Sequence, residues 1–321
     1  MKKIWIVFVL VLLLGCGEKA AKMPVIFDSD FGPDYDDVGA ITLLHAFADS
    51  GLIDIKASVA SNANPLTAPS INVFNTYFGR PEIPVGAPTS APDMDCFQNW
   101  TDSITARYPH AIKSNAEAEN AVSLYRRILA KADDTSMVIV TVGFLTNMKD
   151  LLQSAPDSLS ALNGIELVKQ KVNRLVCMAG AFPSGREYNV FIDSTASKYV
   201  FENWPGRIIF SGADIGSVIR TGKRVIAQPG NSPVKEVFRI SMPVWSGDME
   251  GRCSWDQTAI LIAVCGTSPY FNTTKGRIIV NTNGSNSWEN DPAGLHEYVT
   301  FRQSVNEIGT TIENLMMHRR K

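Results

Sequence analysis

The sequence predicts an α/β protein with a mainly parallel, mixed sheet flanked by helices. Short apolar runs alternate with longer amphipathic segments, and repeated strand-then-helix order implies right-handed crossovers between parallel strands. Of the 321 residues, 45% are hydrophobic and 19% are charged, which is an ordinary globular composition with enough chain for a sizeable core. No repeat or long linker divides the chain, so we expect one α/β domain.

Apolar runs of strand length and helical periodicities give the predicted elements. The predicted strands are Val25–Phe27, Ile53–Ala60, Met137–Val142, Arg174–Met178 and Arg207–Phe210. The predicted helices are Asp37–Ala48, Thr67–Phe78, Ala116–Ala132, Thr146–Gln153, Asp193–Asn203, Gln257–Val264 and Asn306–Met317. A strand over Gly276–Val280 leads into an Asn-Gly turn, which predicts an antiparallel hairpin added to the parallel strands.

Residues 1–15 are typical of a lipoprotein signal peptide. Two lysines precede an apolar run too short to span a bilayer, and the run ends in a Leu-Leu-Gly-Cys sequence that resembles a bacterial lipobox. This predicts lipidation of Cys16, a polar tether over 16–23 and a folded domain over 24–321, with an ordinary secretory peptide as the alternative. The expected location is the bacterial cell envelope, periplasmic or surface-exposed, with the lipid anchor as the only membrane contact.

Net charge and cysteine spacing exclude two classes of function. The formal net charge of −2 argues against a nucleic-acid surface, which would need a strong basic excess. No Cys-x-x-Cys or paired-histidine spacing occurs, so a zinc site is not expected. Export would permit disulfides, but Cys177 and Cys265 lie in apolar patterns that equally favour buried thiols.

Five carboxylates crowd into ten residues directly after the first predicted strand: Asp28, Asp30, Asp34, Asp36 and Asp37. Like charges packed this closely raise one another's pKa values, and a fold tolerates them most easily around a cation. Oxygen-only ligands favour a hard ion, Ca²⁺ or Mg²⁺. The cluster stands at the carboxyl end of a strand, where open α/β sheets bind their ligands.

Two familiar acidic motifs fit this cluster poorly. An EF-hand loop counted from Asp28 needs Gly at position six and Glu at position twelve, but Pro33 and Gly39 stand there. Phosphatases of the haloacid-dehalogenase type begin with Asp-x-Asp, yet they usually place a small hydroxyl residue where this chain has Gly32. A downstream Lys and second acidic pair cannot be placed either.

The acidic cluster and five further segments form six signals in one order along the chain. They are Asp28-Ser29-Asp30-Phe31-Gly32 with Asp36-Asp37, Ser61-Asn62, Gly79-Arg80 with Ile83-Pro84-Val85, Gly143-Phe144-Leu145-Thr146-Asn147, Met178-Ala179-Gly180 with Glu187-Tyr188-Asn189, and Ser254-Trp255-Asp256. Together these segments resemble the motifs of the inosine/uridine-preferring nucleoside hydrolase family. The resemblance implies its Rossmann-like fold, and a divergent lipoprotein member of it.

The resemblance also implies roles for individual residues. The implied Ca²⁺ ligands are Asp30, Asp37, Asp256 and the Thr146 main-chain carbonyl. The implied catalytic residues are Asp30 as general base, with Asn62 and Trp255. The implied substrate-binding residues are Asp36, Asn62, Met178, Glu187, Asn189 and Trp255. Asp28 would support the loop, and Asp34 has no implied role.

Two departures from the family pattern bear on the substrate. Trp255 stands where many members carry a His that protonates the leaving base, and a stacked Trp there is similar to the purine-preferring class. A packing role for the same Trp stays open. The loop before Glu187 is shorter than usual and lacks an Asn that would contact ribose, with Ser184 or Arg186 as substitutes. The natural sugar is therefore not fixed as unmodified ribose.

The expected function is Ca²⁺-dependent hydrolysis of a nucleoside, or a related N-riboside, to base and sugar. Purines are the suspected bases, salvage of extracellular nucleosides is the suspected purpose, and a homo-oligomer is left open. The alternative is a non-catalytic surface lipoprotein that binds a sugar or nucleoside. Asp30 separates the two, because only an enzyme needs a base at that position.

Overall fold

The computed structural model describes residues 21–319. The predicted signal peptide, the lipidation site Cys16 and most of the tether lie outside these residues. None of the helices between residues 21 and 319 is long and apolar enough to cross a membrane.

Thirteen strands lie between these limits. They are β1 Met23–Ser29, β2 Ile53–Ala60, β3 Val85–Ala87, β4 Glu119–Asn120, β5 Met137–Thr141, β6 Val172–Met178, β7 Ser184–Gly185, β8 Ile208–Ser211, β9 Arg220–Thr221, β10 Arg252–Cys253, β11 Phe271–Val280, β12 Asn286–Asn290 and β13 His296–Phe301. All but β9 and β10 form one sheet in the order β4-β3-β2-β1-β5-β6-β8-β13-β11-β12-β7.

The sheet is parallel from β4 across to β13 and antiparallel beyond it. The chain runs outward from β1 to β4, then returns to the other side of β1 with β5. The order therefore reverses between β1 and β5, and such a switch point is where open α/β sheets form their ligand crevice. The mixed, mainly parallel fold predicted from the sequence is confirmed.

Helices cover both faces of the sheet. They are α1 Asp36–Asp49, α2 Thr67–Tyr77, α3 Trp100–Arg107, α4 Ala121–Leu129, α5 Thr146–Gln153, α6 Gly164–Lys171, α7 Tyr188–Ile192, α8 Ser194–Asn203, α9 Ala213–Gly216, α10 Lys223–Ala227, α11 Pro233–Ser241, α12 Trp255–Cys265 and α13 Val305–Met316. Two hydrophobic cores form, one on each face of the sheet. Successive side chains of a strand point to opposite faces, so Val25 and Phe27 of β1 pack in one core and Ile26 packs in the other.

Most predicted elements lie within two residues of their observed bounds, and the predicted hairpin is β11–β12. The helix predicted over 116–132 is wrong at its start. Residues Glu119–Asn120 pair with β3, and α4 begins only at Ala121. The Asn120 side chain accepts the main-chain N–H of Ser123 at 3.0 Å, so it caps the helix where periodicity alone would have continued it.

Two glycines bring the site-bearing segments together. A Cβ on Gly39 of α1 would lie 2.2 Å from Nε2 of Gln257 on α12, so any larger residue would force the Gln257 side chain to move. A Cβ on Gly143, after β5, would lie 2.5 Å from the Asp30 main-chain nitrogen. The absence of both side chains thus lets three separate stretches of chain converge at the switch point.

Candidate active site

A cavity of about 470 Å³ opens at the carboxyl ends of β1, β5, β6 and β8. Its lining comprises Asp30, Pro33, Asp34, Asp36, Phe97, Val142, Met178, Arg186, Glu187, Tyr188, Asn189, Ala213, Trp245, Arg252, Trp255 and Asp256. Seven of the residues predicted for the site are among them. The volume falls in the range of small-molecule pockets.

Three carboxylates predicted as metal ligands share this end of the sheet. Asp30 and Asp256 line the cavity, while Asp37 lies fully buried beneath it. Burial raises the pKa of Asp30 well above its usual range, and the charge of Asp37 raises it further. Burial and then Asp36 and Asp37 do the same to Asp256. Each acid therefore resists ionisation in the absence of a nearby positive charge.

The two carboxylate oxygens of Asp37 differ in their hydrogen bonding. Its Oδ1 accepts the hydroxyl of Ser29, whereas its Oδ2 is buried with no hydrogen-bond partner among residues 21–319. Buried polar atoms are rarely left without a partner, so this oxygen marks a place where a ligand would be favoured.

Within the described chain, no three His, Cys, Asp or Glu side chains are arranged to hold a metal ion. Asp36 instead pairs with an arginine on β10. Arg252 Nε and Nη2 donate to Asp36 Oδ1 at 3.0 and 2.8 Å, and Nη2 also pairs with Asp34. Nη1 lies 3.5 Å from Oδ2 of Asp248. One buried guanidinium thus joins three acids.

This ion network explains Asp34, the acid for which the sequence gives no role. The loop between β1 and α1 carries Asp34 to Arg252, and the Trp100 indole donates to the Asp34 carbonyl at 2.8 Å. Tyr35 donates its hydroxyl to Asp248 at 2.6 Å. This loop is therefore tied to the segment before α12 at several points.

Aromatic rings surround the Arg252 guanidinium. Its central carbon lies 4.9 Å from the ring centroid of Tyr35, 5.2 Å from that of Trp245 and 5.0 Å from that of Trp255. Although burial lowers the pKa of Arg252, the charges of its three acids more than offset that effect and raise it. Arg252 therefore stays positively charged, as its contacts with aromatic faces also favour.

Trp255 is half-buried on the cavity wall, at the first residue of α12. Its indole Nε1 donates to the Ala213 carbonyl at 2.8 Å, which fixes the ring orientation. The Trp255 ring is thus packed against the protein and also borders the cavity.

Glu187, Asn189 and Met178 form another wall. The Glu187 carboxylate caps α7, accepting the main-chain N–H of Gly180, Asn189 and Val190 at 3.0, 2.7 and 3.1 Å. Burial raises the pKa of Glu187, and these hydrogen bonds lower it in part. The Asn189 amide donates to the carbonyls of Val142 and Met178 at 2.9 and 3.2 Å. Both side chains are consequently rigid.

Asn62 and Thr146 lie beside the cavity without lining it. The Asn62 amide donates to the Asp30 carbonyl at 3.2 Å and exchanges hydrogen bonds of 2.9 and 3.0 Å with the main chain of Met94. It therefore holds two loops together. Thr146 bonds through its hydroxyl to Asp193, and Asp193 caps α8, as its position in the sequence suggests.

Asp28 supports the acidic loop from below. Its Oδ2 accepts the Tyr125 hydroxyl and the Asn147 amide, each at 2.9 Å. Burial raises the pKa of Asp28 to about 7 despite these bonds. Asn147 also donates to the Ala60 carbonyl, so it links the ends of β1, β2 and β5.

Sequence reasoning missed Arg252, Asp248 and the aromatic residues Phe97 and Trp245. None stands in a motif, and Arg252 lies 216 residues beyond Asp36. The only available signal was the unassigned acid Asp34, since a buried carboxylate needs a partner. The four cysteines between residues 21 and 319 are all free thiols, and Cys177 is buried as its apolar surroundings suggested.

The structure is that of an α/β protein with a carboxylate-lined cavity at the switch point of its sheet. A purine-preferring ribonucleoside hydrolase from Gardnerella vaginalis superposes with a TM-score of 0.71 and 17% identity, over 92% of this chain and 99% of that chain. At that identity the likeness concerns the fold. Residues 25–307 match the family "Inosine-uridine preferring nucleoside hydrolase", and the chain belongs to this family.

Two curated relatives carry the same family description. The protein from Leishmania major is 25% identical over 192 residues, which are 56% of this chain and 57% of that protein. The protein from Crithidia fasciculata is 23% identical over 225 residues, 66% of this chain and 65% of that protein. The matched regions therefore span less than two thirds of either relative.

Proposed function

We propose that this protein hydrolyses the N-glycosidic bond of a nucleoside or related N-riboside, with Ca²⁺ as cofactor and a preference for purines. One observation carries the proposal: Asp30, Asp36, Glu187 and Asp256 come from three distant segments and line one cavity. Cleavage of this bond passes through an oxocarbenium-like state, which nearby carboxylates stabilise. Membership of the family supports the same chemistry.

The proposed Ca²⁺ ligands are Asp30, Asp37, Asp256 and the Thr146 carbonyl. Two observations support a fit. All donors are oxygens, as a hard cation prefers, and the buried Asp37 Oδ2 lacks a partner in the described chain. When bound, Ca²⁺ would supply the charge that keeps these acids ionised and would make a neighbouring water more acidic.

Asp30 is the proposed general base. Its side chain lines the cavity, and burial, Asp37 and Asp34 raise its pKa above that of an ordinary aspartate. Once the ion keeps Asp30 ionised, this carboxylate can accept the proton of a water held beside it. Asn62 would hold the Asp30 main chain in place through its 3.2 Å hydrogen bond.

Asp36, Glu187 and Asn189 are the proposed partners of the sugar hydroxyls, with Met178 against the ring. The hydrogen bonds to protein atoms leave acceptor capacity on both carboxylates, because each carboxylate offers about four lone-pair sites. Trp255 is the proposed stacking partner of the base, since its ring faces the cavity. We also propose that a lipidated Cys16 anchors the domain for nucleoside salvage at the cell envelope.

The deciding assay incubates the protein with Ca²⁺ and inosine, guanosine, adenosine or uridine, and measures free base and reducing sugar. Asp30→Asn should lower kcat by about 10² or more. Asp54→Asn, on an exposed ion pair with Lys56, is the matched control and should have no effect. Nucleoside binding without base release would support the non-catalytic alternative, and unchanged turnover by Asp30→Asn would refute the assigned base.

Purine preference needs its own comparison. Trp255→Ala should lose activity on inosine and guanosine, whereas Trp255→Phe should retain most of it because an aromatic face remains. A wild-type protein that prefers uridine, or a Trp255→Ala variant with unchanged purine turnover, would exclude the stacking role.

Metal dependence has a readout independent of turnover. We expect Ca²⁺ to raise the thermal midpoint at pH 8 and a chelator to lower it, because ligand binding to the folded state stabilises it. Asp37→Asn should remove most of this Ca²⁺-induced shift, and Asp54→Asn should preserve it. A shift that survives in Asp37→Asn would place the ion elsewhere.

A further inference from the structure

One charge on the cavity wall lacks a partner. Arg252 is paired with Asp34 and Asp36, the Glu187 carboxylate accepts three main-chain N–H groups, and Asp30 and Asp256 are proposed metal ligands. Arg186 lines the same cavity, is exposed, and makes no ion pair or hydrogen bond with any described residue. Its charge is therefore available to a ligand.

The segment that carries Arg186 is held rigidly. It follows directly on β7, whose two residues pair with Asn286 and Ser287 of β12. The Asn286 side chain also accepts the Ala181 N–H at 2.9 Å and donates to the Ala181 carbonyl at 2.8 Å. On the other side, Glu187 is fixed as the cap of α7.

The side chain is oriented as well. The central carbon of the Arg186 guanidinium lies 3.5 Å from the ring centroid of Phe191. Stacking uses the face of the guanidinium and leaves its N–H groups at the edge free, in the fork geometry that matches the oxygens of a phosphate. Arg186 thus has the features of a preformed anion-binding group.

We infer that the substrate is an N-riboside that carries a phosphate on its sugar, and that Arg186 binds this phosphate. The inference rests on the proposed function, because Glu187, the next residue, is assigned there to the sugar hydroxyls. The exocyclic 5′ carbon is the sugar position from which a phosphate extends furthest from the ring, so the phosphate is placed there. The acids of the cavity would repel a phosphate without a cation at this wall.

The reaction balances without a further reactant. Water supplies a hydroxyl to the C1′ carbon and a proton to the departing base, and the phosphate ester stays intact. The products are the free base and a sugar phosphate. This differs from phosphatase chemistry, which would release inorganic phosphate.

The test compares inosine with inosine 5′-monophosphate in the Ca²⁺-loaded protein. Wild-type kcat/KM should be at least tenfold higher for the monophosphate. Arg186→Gln should lower the ratio of the two kcat/KM values at least tenfold, and Arg186→Lys should recover part of it. Arg277→Gln, an exposed arginine paired with Glu289 outside the cavity, is the matched control and should leave both values unchanged.

Two outcomes overturn the inference: a wild-type preference for inosine, or an unchanged ratio in Arg186→Gln. Hydrolysis of inosine with no preference for the monophosphate would refute this inference and leave the proposed function intact. If neither compound releases base, the proposed function fails, and calorimetric binding still tests Arg186. Monophosphate binding tighter than inosine binding and lost in Arg186→Gln supports the anion site, and equal binding refutes it.

Discussion

At the scale of single residues, Arg252 organises the site most strongly. Its side chain is 4% exposed, and it holds Asp34, Asp36 and Asp248 together from opposite ends of the chain. A buried charge of this kind is tolerable only when it is paired and hydrogen-bonded. The acidic loop therefore owes its observed path to an arginine more than two hundred residues away.

Removing this arginine should be costly. Arg252→Met leaves the buried Asp36 without a cation and takes one cation from Asp248 and from the partly exposed Asp34. We therefore expect a loss of about 3–5 kcal/mol in the free energy of unfolding. In the wild type, burial chiefly raises the pKa of Asp36 to about 7, so pH 8 keeps the Asp36–Arg252 pair charged. Urea denaturation at pH 8 gives the value.

The matched control is Lys198→Met, which breaks an exposed pair with Glu202. It should change stability by less than about 1 kcal/mol, because solvent screens such pairs. A loss in Arg252→Met as small as that of the control would show that the three acids find other partners.

At the scale of elements, the hairpin of β11 and β12 does more than extend the sheet. Its strand β12 pairs with β7. The Asn286 side chain also hydrogen-bonds to the loop between β6 and α7, which carries Arg186 and Glu187. The sequence predicts this hairpin but not its contact with the loop. A connection that looks short and irregular in the sequence is thus a strand at the edge of the sheet.

Weakening the contact between the hairpin and this loop should change substrate binding more than the rate of the chemical step. Asn286→Ala removes both hydrogen bonds to Ala181, so we expect KM for a nucleoside to rise several-fold with a smaller change in kcat. Asn283→Ala, in the exposed turn of the same hairpin, is the control and should leave KM unchanged. If kcat falls as much as kcat/KM, the loop has a role in the chemical step instead.

At the scale of the whole molecule, the C-terminal end of the described chain is joined to α1 and to the segment after α2. His318 after α13 and Arg80 after α2 both pair with Asp49 of α1, and His45 of α1 stacks on Phe78 at 4.6 Å. His45 is fully buried and lies 3.1 Å from the Asn75 side chain. Three helices therefore meet around one neutral histidine.

This histidine should make the fold sensitive to acid. Burial, and then the charge of Arg80, lower the pKa of His45 to about 3, whereas an unfolded histidine titrates near 6.5. The unfolded chain thus binds the extra proton first, and stability is lost as pH falls from about 6.5 through about 3. The slope from this group approaches 1.4 kcal/mol per pH unit.

The measurement is the free energy of unfolding of wild type and His45→Gln between pH 7 and pH 4. The variant starts from a lower stability but should lose less of it on acidification, because it has one fewer buried base. Parallel curves for the two proteins would show that His45 is protonated in the folded state at these pH values.

Local patterns determined much of the fold. The strand β2 and the helix α5 occur where predicted, because their signals lie in residues adjacent in sequence. The start of α4 was missed because an Asn cap competes with helical periodicity at the boundary, and the short α7 and α9 offer too few turns for a periodic signal.

The sequence by itself determined the family motifs, the acidic cluster at the end of the first strand and the need for positive charge there. Only the tertiary structure decided which groups supply or receive that charge: Arg252 joins three acids, Asp37 keeps one oxygen free, and Arg186 stands alone on the wall. The physical reason is that the repelling carboxylates are neighbours in the sequence, so their need for positive charge can be read from it. Their partners come from segments that only the packed sheet and helices bring together.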